Sequence, residues 1–131
     1  MHRHIIIAAG ACLLFATESD ATEIDNTDFC RELLAFEEQT NRTLPRKTDS
    51  ITTLIQIRVN CELKIATYVF QIDANDSDLA PGWKERKQRQ HDQLHCNQDG
   101  LASTLGWTAR TTLYSREYNL LAEYFTRPDD C

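Results

Sequence analysis

The sequence predicts an α+β domain: a four-stranded antiparallel sheet in α-β-β-α-β-β order, with helices on one face and two disulfides. Three observations predict it. Two stretches of helical spacing are each followed by two stretches of strand periodicity. Four of the five cysteines, Cys30, Cys61, Cys96 and Cys131, fall within that pattern. At 131 residues the chain is one domain long, with an ordinary 41% hydrophobic and 26% charged composition.

The first helix opens with Thr27 or Asp28 as N-cap and Glu32 in its first turn. Phe29, Cys30, Leu33, Leu34 and Glu37 share one side. Residues 41–50 are polar, with Pro45 as a breaker, and read as a connection. Ile51, Thr53, Ile55, Ile57 and Val59 then alternate with Thr52, Gln56 and Arg58, interrupted only by Leu54, which is strand periodicity. Asn60 marks a tight turn, and residues 61–72 resume with Ile65, Thr67, Tyr68, Val69 and Phe70, which makes a hairpin.

Asn75-Asp76-Ser77-Asp78 breaks the pattern, and Pro81 sits where a helix begins. Residues 83–96 contain no Gly, Pro or β-branched residue and form the second helix, with Trp83, Lys87, His91, Leu94 and His95 on one face. Asp99 caps a short further helix through Leu101 and Leu105, and Gly106 ends it in a left-handed position. Residues 107–114 and 120–126 alternate as two more strands around 115–119. Because a hairpin alone is not stable, both pair in one antiparallel sheet.

Residues 1–21 read as an export signal ahead of a single domain at 22–131. Arg3 is followed by the uncharged run from Ile5 to Ala16, and Glu18 and Asp20 end it too early for a membrane span. Ser19-Asp20-Ala21 supplies a small-x-small cleavage site, so the mature chain starts at Thr22. Ala9-Gly10-Ala11-Cys12 is loosely like a lipobox and would attach a lipid at Cys12. The simpler reading keeps Cys12 as a small apolar residue of the signal core.

Four cysteines in a small exported chain read as two disulfides in an oxidising compartment, with three connectivities open. The repeated helix-hairpin organisation favours Cys30 with Cys61 and Cys96 with Cys131. No C-x-x-C pair is present, which argues against a thiol redox centre or a four-thiolate zinc site.

Fourteen Lys and Arg against 20 Asp and Glu give a formal charge of −6, which argues against nucleic acid or an anionic membrane surface as partner. His91 and His95, at i and i+4, form a two-histidine grip without the glutamate or third ligand of a zincin, and read as adventitious. Lys84, Arg86, Lys87 and Arg89 make a basic run that is a candidate partner-binding surface. No nucleophile elbow or phosphate-cradling glycine loop is present, so no catalytic residue and no cofactor are assigned. Asn41-Arg42-Thr43 and Asn75-Asp76-Ser77 are glycosylation sequons, relevant only to a eukaryotic source. Of the aromatic set Tyr68, Phe70, Trp83, Trp107, Tyr114, Tyr118, Tyr124 and Phe125, most belong in the core. Any on an open sheet face would be anchors for a partner.

Leu44-Pro45, Asp49 before the first strand, a helix ending at Cys96, Gly106, Tyr114 and the terminal Asp130-Cys131 form a pattern over most of residues 28–131. In this the chain resembles a group of small exported bacterial proteins that includes the AspS-type pilotins of type II secretion. The resemblance implies a four-stranded antiparallel sheet against helices and a Cys96–Cys131 bridge. It also implies the role of such pilotins, lipoproteins that bind a helical tail of the secretin and escort it to the outer membrane. The poor lipobox and the extra Cys30 and Cys61 depart from that type, and no catalytic residues come with it. The sequence therefore predicts a non-catalytic, pilotin-like binder of another protein, periplasmic or secreted. The alternatives are an immunity protein or inhibitor of a toxin or lytic enzyme, and a metal-dependent enzyme using His91 and His95.

Overall fold

A computed structural model of the chain describes residues 26–131. The expected signal at 1–21, its cleavage site and Cys12 lie outside the described residues. Helix α1 (Asn26–Asn41) is followed by β1 (Arg46–Lys47), β2 (Thr52–Asn60) and β3 (Ile65–Ile72). Helix α2 (Trp83–His95), β4 (Thr108–Tyr114) and β5 (Leu120–Thr126) complete the order, with single 3₁₀ turns at Asp76–Asp78 and Pro128–Asp130.

The sheet has five strands in the order β1-β2-β3-β4-β5 and is mixed, which corrects the expected four-stranded antiparallel sheet. Each hairpin is antiparallel as expected, but β3 and β4 run parallel, from Ile65 opposite Thr108 to Gln71 opposite Tyr114. The cause is the connection through residues 73–107. It is long enough to carry α2 across the sheet and return the chain to the end where β3 began, the length that a parallel crossover requires. There the Thr108 amide donates to the Lys64 carbonyl at 2.9 Å. The added strand, β1, pairs Arg46 with Leu54 and Lys47 with Thr53, and two residues are too few to show a period.

Alternation along these registers gives three rows across the core face of the sheet: Val59, Ala66, Ala109 and Thr126; Ile57, Tyr68, Thr111 and Tyr124; Leu54, Phe70, Leu113 and Ala122. Both helices lie on this face, as expected. From α1, Phe29, Cys30 and Leu33 pack with Ala66, Ala109, Leu101 and Trp107, and Phe36 belongs with buried Leu54 and Ile57. Phe29 meets the Trp107 ring edge-on, with centroids 5.6 Å apart. Leu34, expected inside, is exposed, and Phe36 takes the buried place.

Strand β2 departs from its expected phase because it is bulged between Leu54 and Gln56. A bulge adds one residue and shifts which residues face the core. Leu54, which broke the alternation in the sequence, is fully buried, whereas Ile51 is exposed and Ile55 only half-buried. The short helix expected at 99–105 is a run of turns. The Ala102 and Ser103 amides both donate to the His95 carbonyl, and the Ser103 and Thr104 hydroxyls take the carbonyls of Asn97 and Gln98. Such side-chain bonds compete with a helix. A Cβ on Gly100 would lie 2.0 Å from the His95 carbonyl oxygen, so glycine permits this close approach. Gly106 is left-handed, with φ of 72°, as expected.

The outer edge of β2 runs beyond the reach of β1, and α1 closes it. Asn41 Nδ2 donates to the Ile57 carbonyl and its Oδ1 accepts the Ile57 amide, both at 2.9 Å, and the Glu37 carboxylate accepts the Val59 amide at 2.8 Å. These side chains replace a missing neighbour strand. The Cys30–Cys61 disulfide ties the first turns of α1 to the β2–β3 turn, and Cys96–Cys131 ties the end of α2 to the segment after β5, with Cα separations of 5.8 and 5.3 Å. On the loop-closure model each contributes roughly 3 to 4 kcal/mol. No helix among the described residues is long and apolar enough to cross a membrane.

We expect Asn41→Ala to destabilise the fold by about 2 to 3 kcal/mol, because it strands an amide and a carbonyl at once, whereas Arg42→Ala should change little. Urea unfolding checks this, and equal effects from the two variants would refute edge closure by Asn41.

Candidate partner-binding surface

Three surfaces carry the candidate chemistry. The first is the inner side of α2, where His91 and His95 are both buried, with ring centroids 4.6 Å apart. His91 Nδ1 lies 2.7 Å from the Thr126 hydroxyl and Nε2 lies 2.9 Å from the Thr111 hydroxyl. The Thr126 hydroxyl donates to Asp92 Oδ1 at 2.7 Å, so it accepts from His91 Nδ1–H, and Thr111 donates to Nε2. Asp92 also accepts from Gln88 Nε2, which donates in addition to the Phe125 carbonyl on β5. This chain of hydrogen bonds docks α2 on the sheet and occupies both ring nitrogens of His91. Among the described residues no group of three or more His, Cys, Asp or Glu is placed to hold a metal ion.

Burial governs the titration of this cluster. Desolvation pushes both histidines down to about 4, with the His91 charge lowering His95 further and Asp92 opposing the shift. Burial likewise pushes Tyr124, whose ring lies 5.9 Å from that of His91, up to about 12.

The second surface is the outer side of α2. Arg86 and Arg89 are exposed there, and Lys84 and Lys87 are exposed on the flank nearer His91. Arg86 donates to the Pro81 carbonyl, and Lys84 lies 5.7 Å from the Trp83 ring centroid. Leu94, expected on the inner face, is 56% exposed on this side, and Gln88 takes its place toward the sheet.

The third surface is the sheet face opposite the helices, and among the described residues no helix covers it. One row runs Arg58, Thr67, Arg110, Phe125 across four strands, and the next runs Gln56, Val69, Thr112, Glu123. Gln71, Tyr114 and Leu120 continue beyond them, with Leu120 57% exposed. Thr67, Val69 and Thr112 are nonetheless buried, because the long side chains around them fold over. Arg110 pairs with Glu123, whose carboxyl is held below its usual range first by that hydrogen bond and further by Arg58. The Arg110 and Arg127 guanidinium carbons lie 5.5 and 4.9 Å from the Phe125 ring centroid.

The fold as a whole is similar to that of two solved proteins. EpsS, the pilotin of the Vibrio vulnificus type 2 secretion system, superposes with a TM-score of 0.57 at 10% identity over 74% of this chain and 86% of its own. The fold of this chain is similar to that of this pilotin. A Pseudomonas aeruginosa protein described as secreted superposes with a TM-score of 0.63 at 11% identity over 83% of this chain and 97% of its own. No family model and no curated protein matches the sequence.

The structure joins Cys30 to Cys61 and Cys96 to Cys131, brings His91 to His95, and leaves the four basic residues of α2 exposed, with Lys84 and Lys87 on one side of the helix and Arg86 and Arg89 on the other. The arginines of the sheet face were not assigned from sequence. Arg58, Arg110 and Arg127 lie far apart in the chain, and only the parallel register of β3 with β4 aligns the first two. The one available signal was the strand alternation that puts Arg58 opposite Ile57.

The buried histidines predict an acid-sensitive fold. Their pKa values lie below the ordinary 6.5, so the stability from keeping them neutral is full above pH 6.5 and is lost as pH falls toward about 4. Unfolding midpoints should drop across this window, and His95→Gln should flatten the drop. An unchanged slope in the variant would refute the assignment to His95.

Proposed function

We propose that this chain is an exported, non-catalytic, pilotin-like protein-binding domain that works in the periplasm or outside the cell. The observation that carries the reading is a disulfide-stapled sheet, similar in fold to that of the pilotin EpsS, covered by helices on one face only and bearing Tyr114 and Phe125 on the other. Aromatics on rigid strands bury large area at little entropic cost when a partner arrives, which makes them efficient anchors. The partner is another protein, and a helical tail of a secretion channel is the occupant that the pilotin likeness suggests.

The exposed basic run of Lys84, Arg86, Lys87 and Arg89, with Arg86 and Arg89 forming its outer ridge, is the second candidate surface. It lies on the helix layer, so the two surfaces are separable by experiment. A photocrosslinking residue at Gln56 or Tyr114, introduced in the source cell, should yield one adduct of constant mass, and the same probe at Arg89 or Leu34 should not. Adducts from Arg89 alone would move the contact to the ridge. An exported chain that gives no adduct from either surface would refute the binding role. Should the adduct prove to be a toxin or lytic enzyme, the immunity or inhibitor reading replaces the pilotin-like one.

Residues 1–21 are proposed to be removed on export. The intact mass of the exported chain should begin near Thr22 and rise by about four hydrogen masses on reduction, two for each disulfide. A mass starting at an acylated Cys12 would overturn this and make the chain a lipoprotein.

A further inference from the structure

We infer that the partner segment docking on the open sheet face is acidic, with carboxylates that meet Arg127 beside Phe125 and Arg58 at the other end of the same cross-strand row. This rests on the reading that the sheet face is the binding surface. The chain as a whole carries a formal charge of −6, yet this end of the face runs the other way. Arg110 and Arg127 lie against Phe125, Arg58 stands three strands away at the other end of the same row, and Glu123 is the one carboxylate in these rows. Glu123 is engaged by Arg110 and by the Thr112 hydroxyl. Arg58 and Arg127 are exposed, and neither forms an ion pair within 4 Å among the described residues. The carboxylates nearest to Arg127 in sequence belong to the 3₁₀ turn after β5, where Asp130 accepts the Arg127 backbone amide.

Desolvation decides the sign. A partner that covers Phe125 must also take water from the guanidinium stacked on it, and an apolar or basic segment would leave that charge unpaired. Carboxylates restore the lost bonds, because the planar guanidinium donates to both oxygens of a carboxylate in two-point contact. The stacking on Phe125 already orders Arg127, so less side-chain entropy is lost when the pair forms. The occupant is therefore an amphipathic segment whose apolar side meets Phe125, Tyr114 and Leu120 while its flanking carboxylates reach Arg58 and Arg127.

The test uses the purified mature chain and three synthetic amphipathic helical peptides that share one apolar stripe and differ only in polar residues: acidic, neutral and basic. Fluorescence anisotropy should give about tenfold tighter binding of the acidic peptide than of the neutral one, with the advantage shrinking as salt is raised. The exposed double variant Arg58→Gln with Arg127→Gln should remove that advantage and bind the neutral peptide at least as tightly as the parent does. Lys87→Gln with Arg89→Gln on α2 should leave the advantage intact. Phe125→Ser should weaken all three peptides, and a second variant, Tyr114→Ser, guards against misfolding at Phe125. Equal binding of the three peptides, or an acidic preference that persists in the arginine variant, would overturn the inference and leave the docking reading standing. Failure of every peptide to bind would overturn both.

Discussion

The parallel register of β3 against β4 is the constraint from which the rest of the molecule follows. It begins where the Thr108 amide meets the Lys64 carbonyl, and it holds without slip from Ile65 to Gln71. Because side chains alternate strictly along a strand, this one register decides which residues share a face over both halves of the chain. It sets Ala66 beside Ala109 to make room for α1 and Trp107, and it aligns Tyr68 with Thr111 under α2. The same register sets Thr67 beside Arg110 on the opposite face. Core and candidate surface are therefore two sides of a single pairing.

A sheet with helices on one face has two further exposures to manage, its edges and its bare side. The edges are handled by side chains rather than by more strands. Asn41 and Glu37 take the outer amides and carbonyl of β2, and on the far side Gln88 takes the Phe125 carbonyl of β5. Each helix is thus bonded to an edge strand, and each is also covalently stapled near one end. The bonds fix position, while the disulfides reduce the freedom of the unfolded chain. His91 joins in the same work on α2: its two ring nitrogens bridge Thr126 on β5 and Thr111 on β4, so the pair of histidines that resembles a metal grip in the sequence is part of the seam between helix and sheet.

Much of this was legible in the residues. Both helices, the two hairpins and the disulfide pairing follow from local period, breaker residues and cysteine placement, and β4 and β5 fall within a residue of the expected bounds. What escaped was what local pattern cannot encode. Parallel or antiparallel pairing of the two hairpins depends on the path of residues 73–107, not on the strands themselves. The bulge at Ile55 appears in the sequence only as the misplaced Leu54, whose full burial shows it to be the in-phase residue. Helical spacing groups Leu34 with Phe29 and Leu33 and Leu94 with His91 and His95, but Phe36 and Gln88 fit the geometry better: a larger ring fills the space over Leu54, and an amide reaches the Phe125 carbonyl. The arginines of the sheet face escaped for the reason the crossover did, because they share a face only once the four strands are aligned.

The two basic surfaces differ in a way that matters for recognition. Along α2, Lys84, Arg86, Lys87 and Arg89 stand over a helix whose apolar side is already spent on the sheet, so a partner meeting them gains charge contacts in water and little buried area. Such pairs contribute about 1 kcal/mol or less each. On the sheet face the charges stand beside uncommitted aromatic surface, with Arg127 stacked on Phe125 and Arg110 tied to Glu123. A partner there excludes water from the same contacts that neutralise it, and a charge-assisted bond formed as water leaves is worth more than one formed in solvent. The arginine positions then discriminate against wrong partners as well: an apolar helix that would otherwise settle on Phe125 and Tyr114 must desolvate a cation without compensation. A segment docking on this face would therefore be favoured if it brought its own carboxylates beside its apolar side.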